Sequence, residues 1–202
     1  MVSLSSVRIV LCRPSHPGNI GAAARAMKAM GLSDLRLVGP ERFPAPEAEW
    51  MATNAVDVLL NAKIHENLQS ALSDCVVAFA LSARPREWSP QVLEVRAAAA
   101  RAAGIGGPLA FVFGNESAGL TNNEMLACQY LVHIPASPEF SSLNLAQAVQ
   151  VVAYELLMAS GSFSLQMKTE KPATVEDLEG LYAHLEQASV ESRFFDPESG
   201  SK

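Results

Sequence analysis

The sequence predicts an α/β domain built on a parallel β-sheet flanked by helices, and three observations carry that reading. Short apolar or β-branched runs alternate with longer amphipathic segments, the order that strand–helix–strand units impose. Hydrophobic residues make up 49% of the 202 residues and charged ones 18%, which excludes a disordered or fibrous chain. No apolar run reaches the ~20 residues of a membrane-spanning helix, and a chain of this length buries roughly 70% of its unfolded surface without staples.

The predicted strands are Arg8 to Cys12, Leu35 to Val38, Val76 to Leu81, Leu109 to Phe113 and Tyr130 to His133. Helices are expected at Ile20 to Met30, Ala52 to Leu60, Glu66 to Leu72 and Val92 to Ala103. A short one starts within Thr121 to Asn123, and a long one spans Leu143 to Ala159. The alanine-rich stretch Ala97 to Ala103 needs only helix propensity to explain it. These elements make a first domain of residues 1–160. Residues 161–172 are polar and broken, a linker. Thr174 with Asp177 three residues on is an N-cap pattern that opens a helix to about Ser192, in an extension of residues 173–202.

Within the Leu143 to Ala159 helix, Asn144, Gln147, Gln150 and Glu155 form a narrow polar stripe, and apolar residues fill the rest. An arc that wide exceeds one sheet face, so the helix either inserts deep in the domain or meets another subunit. Pattern alone leaves both open.

Met1 to Leu11 has no basic start or small-residue cleavage site, which points to the cytoplasm. Cys12, Cys75 and Cys128 are odd in number and sit in apolar stretches, so buried thiols are expected. The net charge of -6 is uneven: residues 1–160 carry 11 basic against 13 acidic side chains, residues 161–202 carry 4 against 8. Ala102 to Ser160 holds no Lys or Arg. A phosphate-gripping surface must therefore come from Arg8, Arg13, Arg25, Lys28, Arg36, Arg84 and Arg86.

Ligands of open α/β sheets collect beyond the carboxyl ends of strands, and three loops there are unusual. Pro14 to Arg25 is a turn feeding a helix whose first turns are nearly all Gly or Ala, with Asn19 expected as its N-cap; such a helix can approach a strand or ligand closely. Arg25 then stands free to reach a phosphate or simply to be solvated. Gly114-Asn115-Glu116-Ser117-Ala118-Gly119-Leu120 suits a chain offering backbone groups to a bound molecule, or an ordinary turn. Ile134 to Asn144 ends in hydroxyls, where Ser141 or Ser142 is the expected cap of the next helix.

Other chemistries fail on spacing. The phosphate-loop, dinucleotide-binding and Gly-x-Ser-x-Gly patterns are missing, and His16, His65, His133 and His184 lie far apart without partners at ligand spacing, so no metal is expected.

Taken together, the loops resemble the three motifs of the SPOUT (SpoU/TrmH-like) RNA 2'-O-ribose methyltransferases, knotted α/β enzymes that use S-adenosylmethionine. The matching residues are Ser15 to Met27, Phe113 to Glu116 with Gly119-Leu120-Thr121, and Ser141 to Ala146 with Gln150-Val151 and Tyr154-Glu155. They are most similar to the TrmJ-type branch, which methylates a pyrimidine ribose at the start of the tRNA anticodon loop. The similarity spans about residues 7 to 160, and Ala173 to Glu179 also looks like that branch. Asn115 departs from it, standing where the branch commonly has Arg, as in the wider SpoU family. The chain ends at Lys202 where relatives often continue, which implies an RNA-binding end beyond it.

The resemblance implies a deep trefoil knot in the carboxyl part of the domain and a homodimer through the Leu143 to Ala159 helix. It implies that S-adenosylmethionine is held by Leu81, Ser82, Ala83, Gly114, Asn115, Glu116, Gly119, Ile134, Ser141, Ser142, Leu143 and Asn144. Arg25 takes the family's catalytic arginine position, Ser142 is the second catalytic candidate, and Arg13, Arg25, Arg84 and Arg86 are expected to contact tRNA. A guanidinium stays protonated and is no ordinary base, so Arg25 is expected to grip the phosphate beside the target ribose and favour its developing alkoxide. That phosphate or Ser142 would take part in proton removal. The rival readings are a ribosomal RNA 2'-O-methyltransferase and a knotted RNA-binding protein without catalysis; a dehydrogenase lacks its glycine fingerprint.

Overall fold

The computed structural model describes residues 3–83, 90–162 and 172–194. The expected RNA contacts Arg84 and Arg86, and most of the expected linker, lie outside the described residues. The chain divides into two compact units, Met1–Ser164 and Leu165–Lys202.

Seven parallel strands form the sheet of the first unit: β1 (Val7–Cys12), β2 (Asp34–Val38), β3 (Lys63–His65), β4 (Val77–Leu81), β5 (Gln91–Glu94), β6 (Leu109–Phe113) and β7 (Tyr130–His133), in the order β3-β2-β1-β6-β4-β7-β5. The five predicted strands are all present. The two that the sequence did not give up, β3 and β5, are the edges. Residues 92–94 were expected to open a helix; instead they belong to β5, which pairs with Tyr130–His133, so that helix begins only at Val95. One alternation of Gln, Val, Leu and Glu serves a first helical turn or an edge strand equally.

The helices are α1 (Pro17–Ala29), α2 (Pro46–Ala52), α3 (Val56–Leu60), α4 (Leu68–Leu72), α5 (Val95–Ala103), α6 (Asn122–Leu126) and α7 (Leu145–Ser160), with α8 (Val175–Glu191) in the second unit. The Thr174 cap and its reciprocal bond with Asp177 form as expected. A single helix expected over Ala52 to Leu60 is broken: α2 ends at Ala52, and a 3-10 turn at Thr53–Ala55 leads into α3.

Alternate strand residues face two layers. Ile9, Leu11, Leu35, Leu37, Phe79, Leu109, Phe111 and Phe113 point to one face with α1, α2, α3, α5 and α7, while Val10, Val38, Ala78, Ala80, Ala110 and Val112 point to the other with α4 and α6. Central strands are buried on both faces, as Leu109–Phe113 shows by having no exposed residue. At Gly21 a Cβ would lie 2.0 Å from the Ala48 carbonyl oxygen, so α1 packs there backbone to backbone on α2. The alanines of α5 serve packing as well as propensity, with Ala98, Ala99 and Ala102 buried in the same cluster as the inner face of α7.

α7 lies between α1 and α5 and buries Leu145, Ala146, Val149, Val152, Ala153 and Leu156. The helix is thus inserted in the domain, and it keeps Tyr154 and Met158 about half exposed, at 48% and 49%. Cys12 and Cys128 are buried thiols as expected; Cys75 is only partly so. Among the described residues no helix is long and apolar enough to cross a membrane.

Candidate active site

The loops after β4, β6 and β7 line a cleft of about 530 Å³, and the loop after β1 stands behind it, hydrogen-bonded to Glu116 and Asn144. Leu81, Ser82, Ala83, Gly114, Asn115, Glu116, Gly119, Ile134, Ser141, Ser142 and Leu143 line it, as does the turn residue pair Ser117 and Ala118, with Phe113, Leu120, Val132, Leu145 and Ala148. Thus every expected cofactor contact except Asn144 lies on the lining. Ser117 and Ala118 were missed, although their place between Glu116 and Gly119 was the available signal.

The β6 loop is folded by its own backbone. Gly119 N donates to Asn115 O at 2.8 Å, and Asn115 Oδ1 accepts from Ser117 N and Ala118 N at 2.9 and 3.1 Å. A Cβ on Gly114 would lie 2.1 Å from the main-chain carbon of Gly119, so only glycine lets the two ends of the loop close; Gly119 itself has φ +68°. Asn115 Nδ2 donates to Arg13 O at 2.8 Å, which ties the loop to the end of β1.

Glu116 ties it to α1. Its Oε2 accepts from Ser15 N and Ser15 Oγ, both at 2.9 Å, and its Oε1 accepts from His16 N at 3.2 Å and Asn19 Nδ2 at 2.9 Å. Burial would raise the carboxyl's pKa, but the donors, Asn19 and Ser15 foremost, outweigh it and hold the group down to about 2. A carboxylate only accepts, so Asn19 must present its amide NH₂ there and turn its oxygen the other way. Asn144 Nδ2 donates to that oxygen at 3.0 Å.

Two expected caps are therefore corrected. α1 starts at Pro17 after His16, which makes no side-chain cap, and Asn19 bridges loops from within the first turn. Asn144 caps α7, accepting from Ala146 N at 2.9 Å while Asn144 N donates to Gln147 Oε1 at 3.3 Å. Ser141 and Ser142 are released from capping and stand on the cleft lining. Of the expected polar stripe on α7, Asn144 and Gln147 thus form the cap, and Glu155 pairs with Arg96.

The basic residues sort by partner. Arg36, 4% exposed, is gripped by Asp34, Asp74 and the Ala71 carbonyl, with Arg8 beside it on the same acids. These bonds hold the Asp74 carboxyl far below its usual range. Lys28 pairs with Asp57, and Arg13 with Glu124. Lys63, Arg42 and Arg96 also have acidic partners, and Arg101 lies over the Tyr130 ring. Among the described residues of the first unit, Arg25 alone is an Arg or Lys without a partner; it is exposed on α1 and is not part of the cleft lining.

A family model, that of the SpoU rRNA methylase family, matches residues 6–154. The chain belongs to that family. The SpoU match covers the cleft lining and all three loops, and it ends within α7. A curated relative, tRNA (cytidine/uridine/adenosine-2'-O-)-methyltransferase TrmJ of Pseudomonas aeruginosa, is 46% identical over 209 residues, covering 96% of this chain and 81% of its own. The tRNA (cytidine/uridine-2'-O-)-methyltransferase TrmJ of Pectobacterium atrosepticum is 44% identical, covering 96% and 83%. Among solved structures, TrmJ from Z. mobilis ZM4 superposes with a TM-score of 0.76 at 38% identity, covering 94% of this SpoU-family chain and 82% of that one.

Proposed function

We propose that this protein transfers a methyl group from S-adenosylmethionine to the 2'-hydroxyl of a pyrimidine ribose in tRNA, at the start of the anticodon loop. The observation that carries the reading is a cleft lined by the β6 and β7 motif loops, to which the β1 motif loop is locked by the Asn144–Asn19–Glu116 chain of hydrogen bonds. The cleft fits the donor. Gly114 lets the ends of the β6 loop close, and the walls combine main-chain groups of that loop with the apolar Leu81, Ile134 and Leu143. When bound, S-adenosylmethionine supplies an electrophilic methyl on a sulfonium centre.

The residues of this chain do the rest. The β6 and β7 loops hold and orient the donor, which is the larger part of catalysis for a displacement that requires alignment. The Arg25 guanidinium, free of acidic partners, grips the phosphate beside the target ribose and favours negative charge on the attacking oxygen. That phosphate accepts the proton, either directly or through the Ser142 hydroxyl at the cleft, which passes its own proton on as it takes one up.

Two features of assembly belong to the same reading. In this reading the chain after β7, whose helix α7 packs on α1 and α5, forms the trefoil knot. The half-exposed Tyr154 and Met158 give α7 an apolar seam for a second copy, making the active form a homodimer. A tRNA substrate places the reaction in the cytoplasm.

The family description names ribosomal RNA, whereas the 44–46% identical relatives are named for tRNA, and the tRNA reading follows the more similar proteins. Labelled methyl from S-adenosylmethionine, offered with separated tRNA and ribosomal RNA, decides between them. Label in tRNA on a pyrimidine ribose is the expected result; label confined to ribosomal RNA, or none in either, overturns it.

A further inference from the structure

Arg13 ends β1 with φ +48°, a region that residues other than glycine rarely occupy and that persists only where the surroundings fix it. Arg13 N donates to Val38 O at 2.7 Å, anchoring the residue to β2. Four further bonds lead from this one residue to the β6 loop and to Glu124 just beyond it. Its carbonyl accepts from Asn115 Nδ2 at 2.8 Å, at the start of the β6 loop. Its Nη2 donates to Gly119 O at 3.4 Å, at the end of that loop, and to Glu124 Oε2 at 3.0 Å, while Nη1 completes the fork on Glu124 Oε1. Glu124 is itself held by Thr121 N and Thr121 Oγ1 at 2.7 and 2.9 Å, just beyond Leu120.

The geometry points to Arg13 as a positioning residue, a clamp that fixes the residues 114–120 wall at both ends and thereby sets the main-chain groups that receive the methyl donor. This rests on the reading of the cleft given above. The Glu124 side chain is only 11% exposed, so a guanidinium withdrawn to bind an RNA phosphate would leave a buried carboxylate without its partner. A forked arginine–carboxylate pair also fixes direction in a way that a lysine cannot. Arg13 thus acts on the β6 loop and is removed from the set of cations offered to RNA.

The test separates the two roles. In Arg13→Ala, amide exchange across residues 114–120 of the ligand-free protein should quicken about tenfold, and the Kd for S-adenosylmethionine measured by calorimetry should rise about tenfold, while the KM for tRNA and its salt dependence stay unchanged. Arg13→Lys should recover only part of both effects. Should Arg13→Ala fail to fold, Glu124→Gln breaks the same fork and should speed exchange in the same segment. Unchanged exchange and unchanged Kd, with a raised KM for tRNA and a flatter salt slope, would make Arg13 an RNA contact and overturn the clamp. A wild-type protein that binds no S-adenosylmethionine would refute the cleft reading instead, and the exchange measurement would still decide the clamp.

Discussion

Asn144 Nδ2 donates to Asn19 Oδ1 at 3.0 Å, joining two side chains 125 residues apart in the chain. One partner caps α7 and the other lies in the first turn of α1, where its amide also reaches Glu116. A single line of hydrogen bonds thus spans all three motif loops, and the shape of the cleft depends on each bond being made in one direction only. Asn19 cannot turn its amide over without facing its oxygen to a carboxylate.

That line can be cut in two ways. Asn144→Ala removes both the cap and the bridge, and should destabilise the protein by about 1–2 kcal/mol in chemical denaturation. Asn144→Asp keeps a capping oxygen for Ala146 N but has no donor for Asn19. It should retain most of the stability and still lose affinity for S-adenosylmethionine. Equal binding by Asn144→Asp and wild type would mean that the bridge does not align the loops.

Glu116 sets an acid limit. Its carboxyl falls from an ordinary value of 4.5 to about 2 because the folded protein donates hydrogen bonds to the charged form. A depressed folded pKa means that the contribution is complete above about pH 4.5 and fades as pH falls towards about 2, where the folded carboxylate takes up its proton. Glu116→Gln should therefore be less stable than wild type at neutral pH, and the difference should shrink through that window. A difference that stays constant from pH 6 down to about 2.5 would show that the charge on Glu116 is immaterial.

The sequence made the central strands and the cleft legible for different reasons. β1, β4, β6 and β7 are largely buried on both faces, so apart from Arg8 and His133 their residues read as apolar runs; β3 and β5, at the edges, expose Ile64 and Val92 and carry no such run. The cleft lining was legible because Gly114, Gly119, Ser141 and Ser142 gather at strand ends in motif order. Caps were misjudged at Asn19 and Ser141–Ser142 because every candidate there is a good capping residue, and only the fold decides which side chain is needed for a bond between loops. Arg13 was illegible for a related reason: its partner Glu124 is 111 residues away, and no local pattern announces that pairing.

The same sorting of partners isolates Arg25. Every other Arg and Lys described in the first unit has an acid or a ring to hold it, so among the described residues Arg25 is the one left for a phosphate near α1. It does not line the cleft, which divides its effects cleanly: Arg25→Ala should leave the Kd for S-adenosylmethionine unchanged and lower turnover by about a hundredfold or more. Arg25→Lys keeps the charge but loses the fork, and should recover only a small part of the rate. Single-turnover methylation of tRNA with calorimetry on the same preparations reads both quantities. Full turnover by Arg25→Ala would place the stabilising charge elsewhere, and a parallel loss of donor binding would make Arg25 a part of the cleft.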